Sequence, residues 1–185
     1  MQEGAADVSQ VAGEVEHACP AVSRVDERRG PAHMRRMSVP DAFVAPAEPT
    51  AAEAIATIGD ELAVFDDWME RYQYIIELGR KLPPFPEVWA DDAHRVPGCQ
   101  SRVWMEKERR GGKLYFAGAS DAAIVSGLVA LLLRVYSGRT PAEIAATDPV
   151  FLKNLGLIEA LSTNRGNGVA ALARKLREAA ALQAA

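Results

Sequence analysis

The sequence predicts an α+β fold, a small antiparallel β-sheet flanked by helices, and three stretches carry that prediction. Apolar residues recur at helical spacing from Ala51 to Leu78, and a run of alternating polarity crosses a Gly-Gly pair at 111–112. A nearly continuous apolar run then follows from Ile124 to Tyr136. With 49% hydrophobic residues in 185, the chain has enough apolar side chains for one packed domain.

The first part of the chain, residues 1–48, has a different composition. It mixes Ala, Gly, Pro, Ser and scattered charges, and its apolar residues follow neither a helical nor a strand period. We expect it to be a disordered tail or a mis-assigned start, and we assign the domain to residues 49–185. Cys19 falls in this tail. The segment has no signal-peptide pattern and too many acids for a transit peptide, so we expect a cytoplasmic protein.

The next elements are two helices and a hairpin. The helical pattern from Ala51 indicates two helices, or one broken near Phe65, and the second ends where prolines follow at 83–84. A loop then leads to Cys99. The period becomes two across residues 101–108, and Gly111-Gly112 separates this run from residues 113–117, a spacing typical of a β-hairpin.

The rest of the chain is predicted to be helical. Ser120 and Asp121 carry oxygens that can cap the central apolar helix, and short helices are predicted to open at Thr140-Pro141 and Asp148-Pro149. An amphipathic C-terminal helix is predicted from apolar residues at helical spacing, namely Val169, Leu172 and Leu176.

Charge and apolar content exclude several functions. A net charge of −4 and no basic stripe argue against a nucleic-acid partner. The longest apolar run, Ile124 to Leu133, is shorter than the roughly 20 residues of a membrane span. Two cysteines in segments of different composition argue against a disulfide framework, so each thiol is interpreted as free.

Three motifs, in this order and spacing, resemble the SufE family over about residues 60–183. They are Tyr74–Gly79 with Leu82-Pro83, Val96–Ser101 with Val103-Trp104, and Ser120–Val125 with Gly127-Leu128. The Gly-Cys-Gln-Ser stretch followed by Val-Trp is the most diagnostic of them. A less stringent family stretch resembles residues 162–168, where Asn164 stands in the usual Ser position before Arg165, and Gly166 follows.

The resemblance implies a fold shared with U-type iron–sulfur scaffolds. It also implies a role as acceptor for, and activator of, a pyridoxal-phosphate (PLP)-dependent cysteine desulfurase of the Suf type. Cys99 would be the acceptor, taking persulfide sulfur from the desulfurase and delivering it to a Suf cluster scaffold. On this view the chain is a carrier rather than an enzyme and needs no cofactor, because the PLP belongs to the partner. A homodimer is left open.

Around Cys99 the residues themselves suggest supporting roles. Gly98 gives the loop a conformationally permissive step, and Gln100 and Ser101 either hydrogen-bond to the loop or satisfy local backbone groups. Asp121 caps the helix, positions the loop or the partner surface, or does both. Arg165 either meets an acidic partner surface or the loop, or faces solvent.

Other interpretations remain open at this point. A metal site from Asp91, Asp92, His94 and Cys99 lacks the paired spacing of zinc ligands, and a solvated acidic loop explains the first three better. A U-type scaffold would use several thiolates, whereas the region from residue 60 has one cysteine. A stand-alone thiol enzyme would need a resolving cysteine or an ordered base. A regulatory module that activates a desulfurase without carrying sulfur is the third alternative.

Overall fold

The computed structural model describes residues 42–98, 100–157 and 163–184, with side chains in all of these except residues 163–166 and 184. Within these ranges the elements in chain order are α1 (Ala51–Ala63), α2 (Trp68–Arg80), a 3-10 turn (Glu87–Trp89), β1 (Val103–Arg110), β2 (Lys113–Ser120), α3 (Ala123–Tyr136), α4 (Pro141–Ala146), α5 (Phe151–Asn154) and α6 (Thr163–Ala184). The predicted α+β class, a small antiparallel sheet with helices around it, is confirmed.

The first helical region contains two separate helices, α1 and α2, where the sequence allowed either two helices or one broken helix. The side chain of Asp67 caps α2 by accepting a hydrogen bond from the backbone N–H of Glu70 at 2.9 Å, which satisfies a donor that has no partner inside the helix. Arg71 donates from two guanidinium nitrogens to the carbonyl of Phe65 and so holds the connection between α1 and α2. The predicted break near Phe65 is confirmed, and α2 ends at Arg80 as the following prolines indicated.

β1 and β2 form the predicted hairpin. Their register runs from Val103 opposite Ser120 to Arg110 opposite Lys113. The two turn residues, Gly111-Gly112, have φ angles of +55° and +79°, a conformation that glycine adopts at little cost and that matches the twist of a two-residue hairpin. At the start of β1, the buried Val103 and Met105 alternate with the half-buried Trp104 and Glu106, as the period-two interpretation predicted, whereas none of the side chains from Lys107 to Arg110 is buried.

The central helix α3 forms the middle of the core, and α2 packs against it at very close range. Nine of the fourteen residues of α3 are buried. A Cβ atom added to Gly127 would lie 2.1 Å from the carbonyl oxygen of Ile75, and one added to Gly79 would lie 2.5 Å from the backbone nitrogen of Gly127. The two glycines therefore set the distance between α2 and α3, which is why Gly127 occurs within an otherwise apolar helix.

The C-terminal part follows the prediction as well. Thr140 caps α4 by accepting from the N–H of Glu143, and Pro141 is the first helical residue. α5 begins two residues after Pro149, and α6 buries the predicted apolar residues Val169, Leu172 and Leu176. Among the described residues, none of the helices is both long enough and apolar enough to cross a membrane.

Residues 42–48, which we assigned to the tail, pack against the domain. Phe43 is only 6% exposed, and the N–H of Val44 donates to the carbonyl of Phe116 in β2 at 2.9 Å. Glu48 forms an ion pair with Arg134 of α3. The packed region therefore begins before residue 49. Periodicity missed it because an apolar stretch of four residues, 42–45, is too short to show a period. Residues 1–41 lie outside the described part of the chain.

Candidate functional site

The loop that carries Cys99 leaves and re-enters the sheet through a short paired stem. The N–H of Val96 donates to the carbonyl of Val103 at 2.8 Å, and the N–H of Met105 donates to the carbonyl of His94 at 3.0 Å. Arg95 lies opposite Trp104 in an antiparallel bridge. Residues 94–96 thus extend the sheet on the outer edge of β1, and residues 97–102 form the connecting loop.

Cys99 itself lies outside the described residues, but its neighbours define where the loop is. Pro97, Gly98 and Gln100 are all exposed, whereas Val96 at the base of the stem is 2% exposed. The loop therefore leaves a buried base and reaches the surface within a few residues. This agrees with the prediction that the cysteine loop lies where the chain enters a sheet.

Arg102 anchors the C-terminal end of the loop. Its backbone N–H and its Nε donate to the two carboxylate oxygens of Asp121, at 3.0 and 2.9 Å. Its carbonyl accepts from the hydroxyl of Ser120 at 2.8 Å and from the N–H of Asp121 at 3.2 Å. The hydrogen bond from the Arg102 guanidinium lowers the pKa of Asp121 below its usual value, so this carboxylate stays charged at neutral pH.

The side chain of Asp121, which was a candidate cap, does not cap α3. The N-cap residue is Ala122, which makes no capping hydrogen bond from its side chain. Its N–H donates to the hydroxyl of Ser120 at 3.3 Å. The capping expectation was wrong because the hairpin register places Asp121 opposite Arg102, where a charge-assisted pair outcompetes a local cap. The carboxylate of Asp121 instead contacts Arg102 at the C-terminal end of the loop.

α6 supports the other side of the loop. Gly98 has φ = +87°, in the left-handed region that favours glycine, and a Cβ atom there would lie 3.8 Å from Cβ of Ala171. The ammonium group of Lys175 donates to the carbonyl of Arg95 at 3.2 Å. The stem is therefore fixed by β1 and α6 together, and Gly98 supplies the backbone conformation that the turn requires.

Three other residues were predicted to support the loop, namely Gln100, Ser101 and Arg165. Gln100 is exposed and Ser101 half-buried, and neither side chain forms a hydrogen bond with another residue in the described part of the chain. Arg165 lies in the first turn of α6, and its side chain lies outside what the structure describes. Sequence reasoning missed Arg102 and Lys175. Counting pairs back from the Gly111-Gly112 turn would have placed Arg102 opposite Asp121.

The imidazole of His94 lies between two carboxylates. Its Nδ1 lies 2.6 Å from Oδ1 of Asp91, and its Nε2 lies 2.9 Å from Oε2 of Glu106. Asp92, another member of the metal set considered from the sequence, is fully exposed and lies 4.0 Å from Arg95. Among the described residues, no group of three His, Cys, Asp or Glu side chains is placed to hold a metal ion.

Comparison with known proteins finds a family whose model covers most of the domain. The model of the family described as SufE, Fe–S metabolism associated domain, matches residues 56–180. An uncharacterized SufE-like protein of Rhizobium etli is 42% identical over 132 residues, covering 68% of this chain and 88% of that protein. The sulfur acceptor protein CsdE of Escherichia coli is 36% identical over 122 residues, covering 65% of this chain and 83% of CsdE.

A solved structure supports the fold independently. The solution structure of a hypothetical protein from Thermus thermophilus superposes with a TM-score of 0.58 at 22% identity, covering 69% of this chain and 93% of that one. At this identity the likeness shows the fold alone. The match of the family model over most of the domain, together with the motifs around the Cys99 loop, shows that the chain belongs to the SufE family.

Proposed function

We propose that this chain accepts persulfide sulfur on Cys99 from a PLP-dependent cysteine desulfurase, stimulates that enzyme, and passes the sulfur to a Suf-type scaffold for iron–sulfur cluster assembly in the cytoplasm. The observation that carries the proposal is the short loop around position 99, which is exposed at Pro97, Gly98 and Gln100 and anchored at both ends. A relative that is named a sulfur acceptor protein supports it.

The chemistry is a thiol exchange without net oxidation. The thiolate of Cys99 attacks the outer sulfur of a persulfide on the desulfurase cysteine, and a new S–S bond forms on Cys99. The S–S bond of the desulfurase breaks, and its cysteine leaves as a thiolate. This reaction needs a thiolate of moderate pKa and access to the outer sulfur, and it needs no cofactor on the accepting chain. The PLP acts earlier, in the partner, where the sulfur is removed from free cysteine.

The anchors of the loop suit such a carrier. Asp121 and Lys175 hold the two ends of the loop in place through Arg102 and the carbonyl of Arg95. The segment between them can then extend into the active site of another protein while the sheet stays intact. Gly98 provides the permissive residue next to the thiol. We propose that the loop alternates between a sheltered position and an extended one during the transfer cycle.

The experiment that tests this function measures desulfurase turnover and sulfur transfer in the same reaction. A Suf-type desulfurase is incubated with cysteine and either the wild-type chain or Cys99→Ser, without reductant. We expect the wild-type chain to raise the turnover and Cys99→Ser to abolish the rise. If the variant stimulates turnover as well as the wild type does, the chain is a regulatory module that carries no sulfur, and the proposal is wrong.

A further inference from the structure

The two ends of the Cys99 loop are held by contacts of unequal strength. At the C-terminal end, the backbone N–H and Nε of Arg102 donate to the carboxylate of Asp121, at 3.0 and 2.9 Å. The carbonyl of Arg102 accepts two more hydrogen bonds, from the hydroxyl of Ser120 and from the N–H of Asp121. Several hydrogen bonds therefore meet at this residue, and those to the carboxylate are of the stronger, charge-assisted kind.

The N-terminal arm of the loop, residues 95–98, has weaker contacts. The N–H of Val96 makes the last hydrogen bond between this arm and β1. Pro97 has no N–H to donate, and neither Pro97 nor Gly98 forms a hydrogen bond with another described residue. Beside Gly98, α6 lies at van der Waals distance, since a Cβ atom there would be 3.8 Å from Cβ of Ala171. Beyond Val96 the arm can therefore move without breaking the sheet.

Lys175 links this arm to α6 by a hydrogen bond. Its ammonium group donates to the carbonyl of Arg95 at 3.2 Å. Arg95 lies opposite Trp104 in a bridge whose hydrogen bonds are made by the residues on either side, so its own carbonyl points away from β1. Among the described residues, no carboxylate lies within 4.0 Å of Lys175, so no ion pair competes for its ammonium group.

We propose that Lys175 is a positioning residue for sulfur transfer. By holding the carbonyl of Arg95 it keeps the N-terminal arm on α6, and the arm swings outward when this contact is released, while Arg102 stays bound to Asp121. A hydrogen bond from a flexible lysine side chain costs less to break than the set of bonds at Arg102. The loop therefore opens from its N-terminal side.

This inference rests on the proposed function and names the residue that controls the reach of Cys99. Gly98, with φ = +87°, supplies a pivot next to the thiol. Chains with a released arm present Cys99 to the desulfurase, so the apparent affinity of the enzyme for this chain is reduced by the fraction that is released. Removing the contact should raise that fraction by about fivefold, the factor that one hydrogen bond of ordinary net strength supplies.

The test compares three substitutions in the Cys19→Ser chain, in which Cys99 is the one remaining cysteine. Lys175→Met removes the donor and keeps a side chain of similar length. Lys175→Arg keeps N–H donors at the same position. Arg174→Met is the matched control, because Arg174 is an exposed cation of α6 that lies on the side facing α4. Circular dichroism checks that all of these chains fold.

Three quantities are measured for each chain. The first is the rate constant at which iodoacetamide alkylates Cys99 in the free chain, at several pH values. The second is the pair of constants kcat and KM of a Suf-type desulfurase, with cysteine saturating and the concentration of the chain varied. The third is the hydrogen exchange rate of the Arg102 amide, which reports whether the C-terminal end of the loop moves.

We expect Lys175→Met to raise the alkylation rate constant about fivefold at every pH, and to lower KM by the same factor while kcat stays unchanged. Lys175→Arg and Arg174→Met should stay within about twofold of the parent chain. Exchange of the Arg102 amide should be the same in all four chains, since the hydrogen bond of this amide to Asp121 is kept.

Three results would overturn the inference. The first is an alkylation rate that Lys175→Met leaves unchanged or that Arg174→Met raises equally. The second is a shift in the pH midpoint of alkylation, which would mean that Lys175 acts on the thiolate itself. The third is faster exchange of the Arg102 amide in Lys175→Met, which would mean that both ends of the loop open. If the desulfurase passes no sulfur to Cys99 in any chain, the proposed function fails instead, and the alkylation rates still decide the role of Lys175.

Discussion

Replacing Gly127 by Ala is the perturbation whose effect follows most directly from the packing. In the structure a Cβ atom at this position would lie 2.1 Å from the carbonyl oxygen of Ile75 and 2.6 Å from its Cγ2. Carbon–oxygen contacts in proteins are ordinarily about 3.3 Å or longer. α2 and α3 would therefore have to separate by roughly 1 Å along most of their shared contact.

The size of the effect can be worked from two opposing contributions. Overpacking a close contact costs about 1–3 kcal/mol, and the upper part of that range applies because the obstacle is backbone rather than a flexible side chain. Replacing glycine by alanine in a helix stabilises by about 0.5–1 kcal/mol. We expect Gly127→Ala to lower the free energy of unfolding by about 2 kcal/mol, which corresponds to a melting temperature about 4–8 °C lower.

The matched control is Gly59→Ala in α1, because Gly59 lies in a helix but does not contact the backbone of a neighbouring helix. A Cβ atom there would lie 3.4 Å from Cδ2 of Leu155, an ordinary contact. This variant should be up to about 1 kcal/mol more stable than the wild type, since only the helix propensity changes. Urea unfolding followed by circular dichroism measures both. A Gly127→Ala variant as stable as the wild type, or two variants that shift alike, would refute the close packing of α2 on α3.

Two further predictions concern polar contacts. Asp121→Ala removes the acceptor for the backbone N–H of Arg102. Hydrogen exchange of that amide with solvent should therefore accelerate roughly tenfold or more, while the exchange of amides in the centre of α3 stays unchanged. An unchanged exchange rate of the Arg102 amide would contradict the role of this hydrogen bond as an anchor. Arg134 lowers the pKa values of Glu48 and Glu61 in the folded state. Their contribution to stability is therefore complete above the ordinary glutamate pKa of 4.5 and is lost as the pH falls through the lowered values. The stability difference between wild type and Glu61→Gln, measured by urea unfolding, should be largest near neutral pH and shrink in acid; a difference that is independent of pH would contradict the pairing.

Much of the fold could be predicted because local patterns determine it. The alternation around Gly111-Gly112 specifies the hairpin, since both the turn conformation and the buried face depend on neighbouring residues. The helices follow from apolar spacing, from capping side chains such as Asp67, and from prolines that end them. The motif around Cys99 identified the family, and the stem that holds the loop is consistent with that identification.

The features that were missed depend on residues distant in sequence. Phe43 is buried because the chain before α1 folds back onto the sheet, and no local period signals this. Asp121 is a good capping residue by type, but the hairpin brings it next to Arg102, nineteen residues earlier. His94 meets Glu106 only because residues 94–96 pair with β1. In each case the tertiary contact overrides the local preference.

Whether Cys99 accepts the sulfur is measured by intact-mass spectrometry with peptide mapping after incubation with a Suf-type desulfurase and cysteine in the absence of reductant. The chain has two cysteines, so wild type, Cys99→Ser and Cys19→Ser are compared. We expect the mass of one added sulfur on wild type and on Cys19→Ser, located in the peptide that contains Cys99, and none on Cys99→Ser. Sulfur that maps to Cys19, or that still appears on Cys99→Ser, would contradict the assignment of Cys99 as the acceptor.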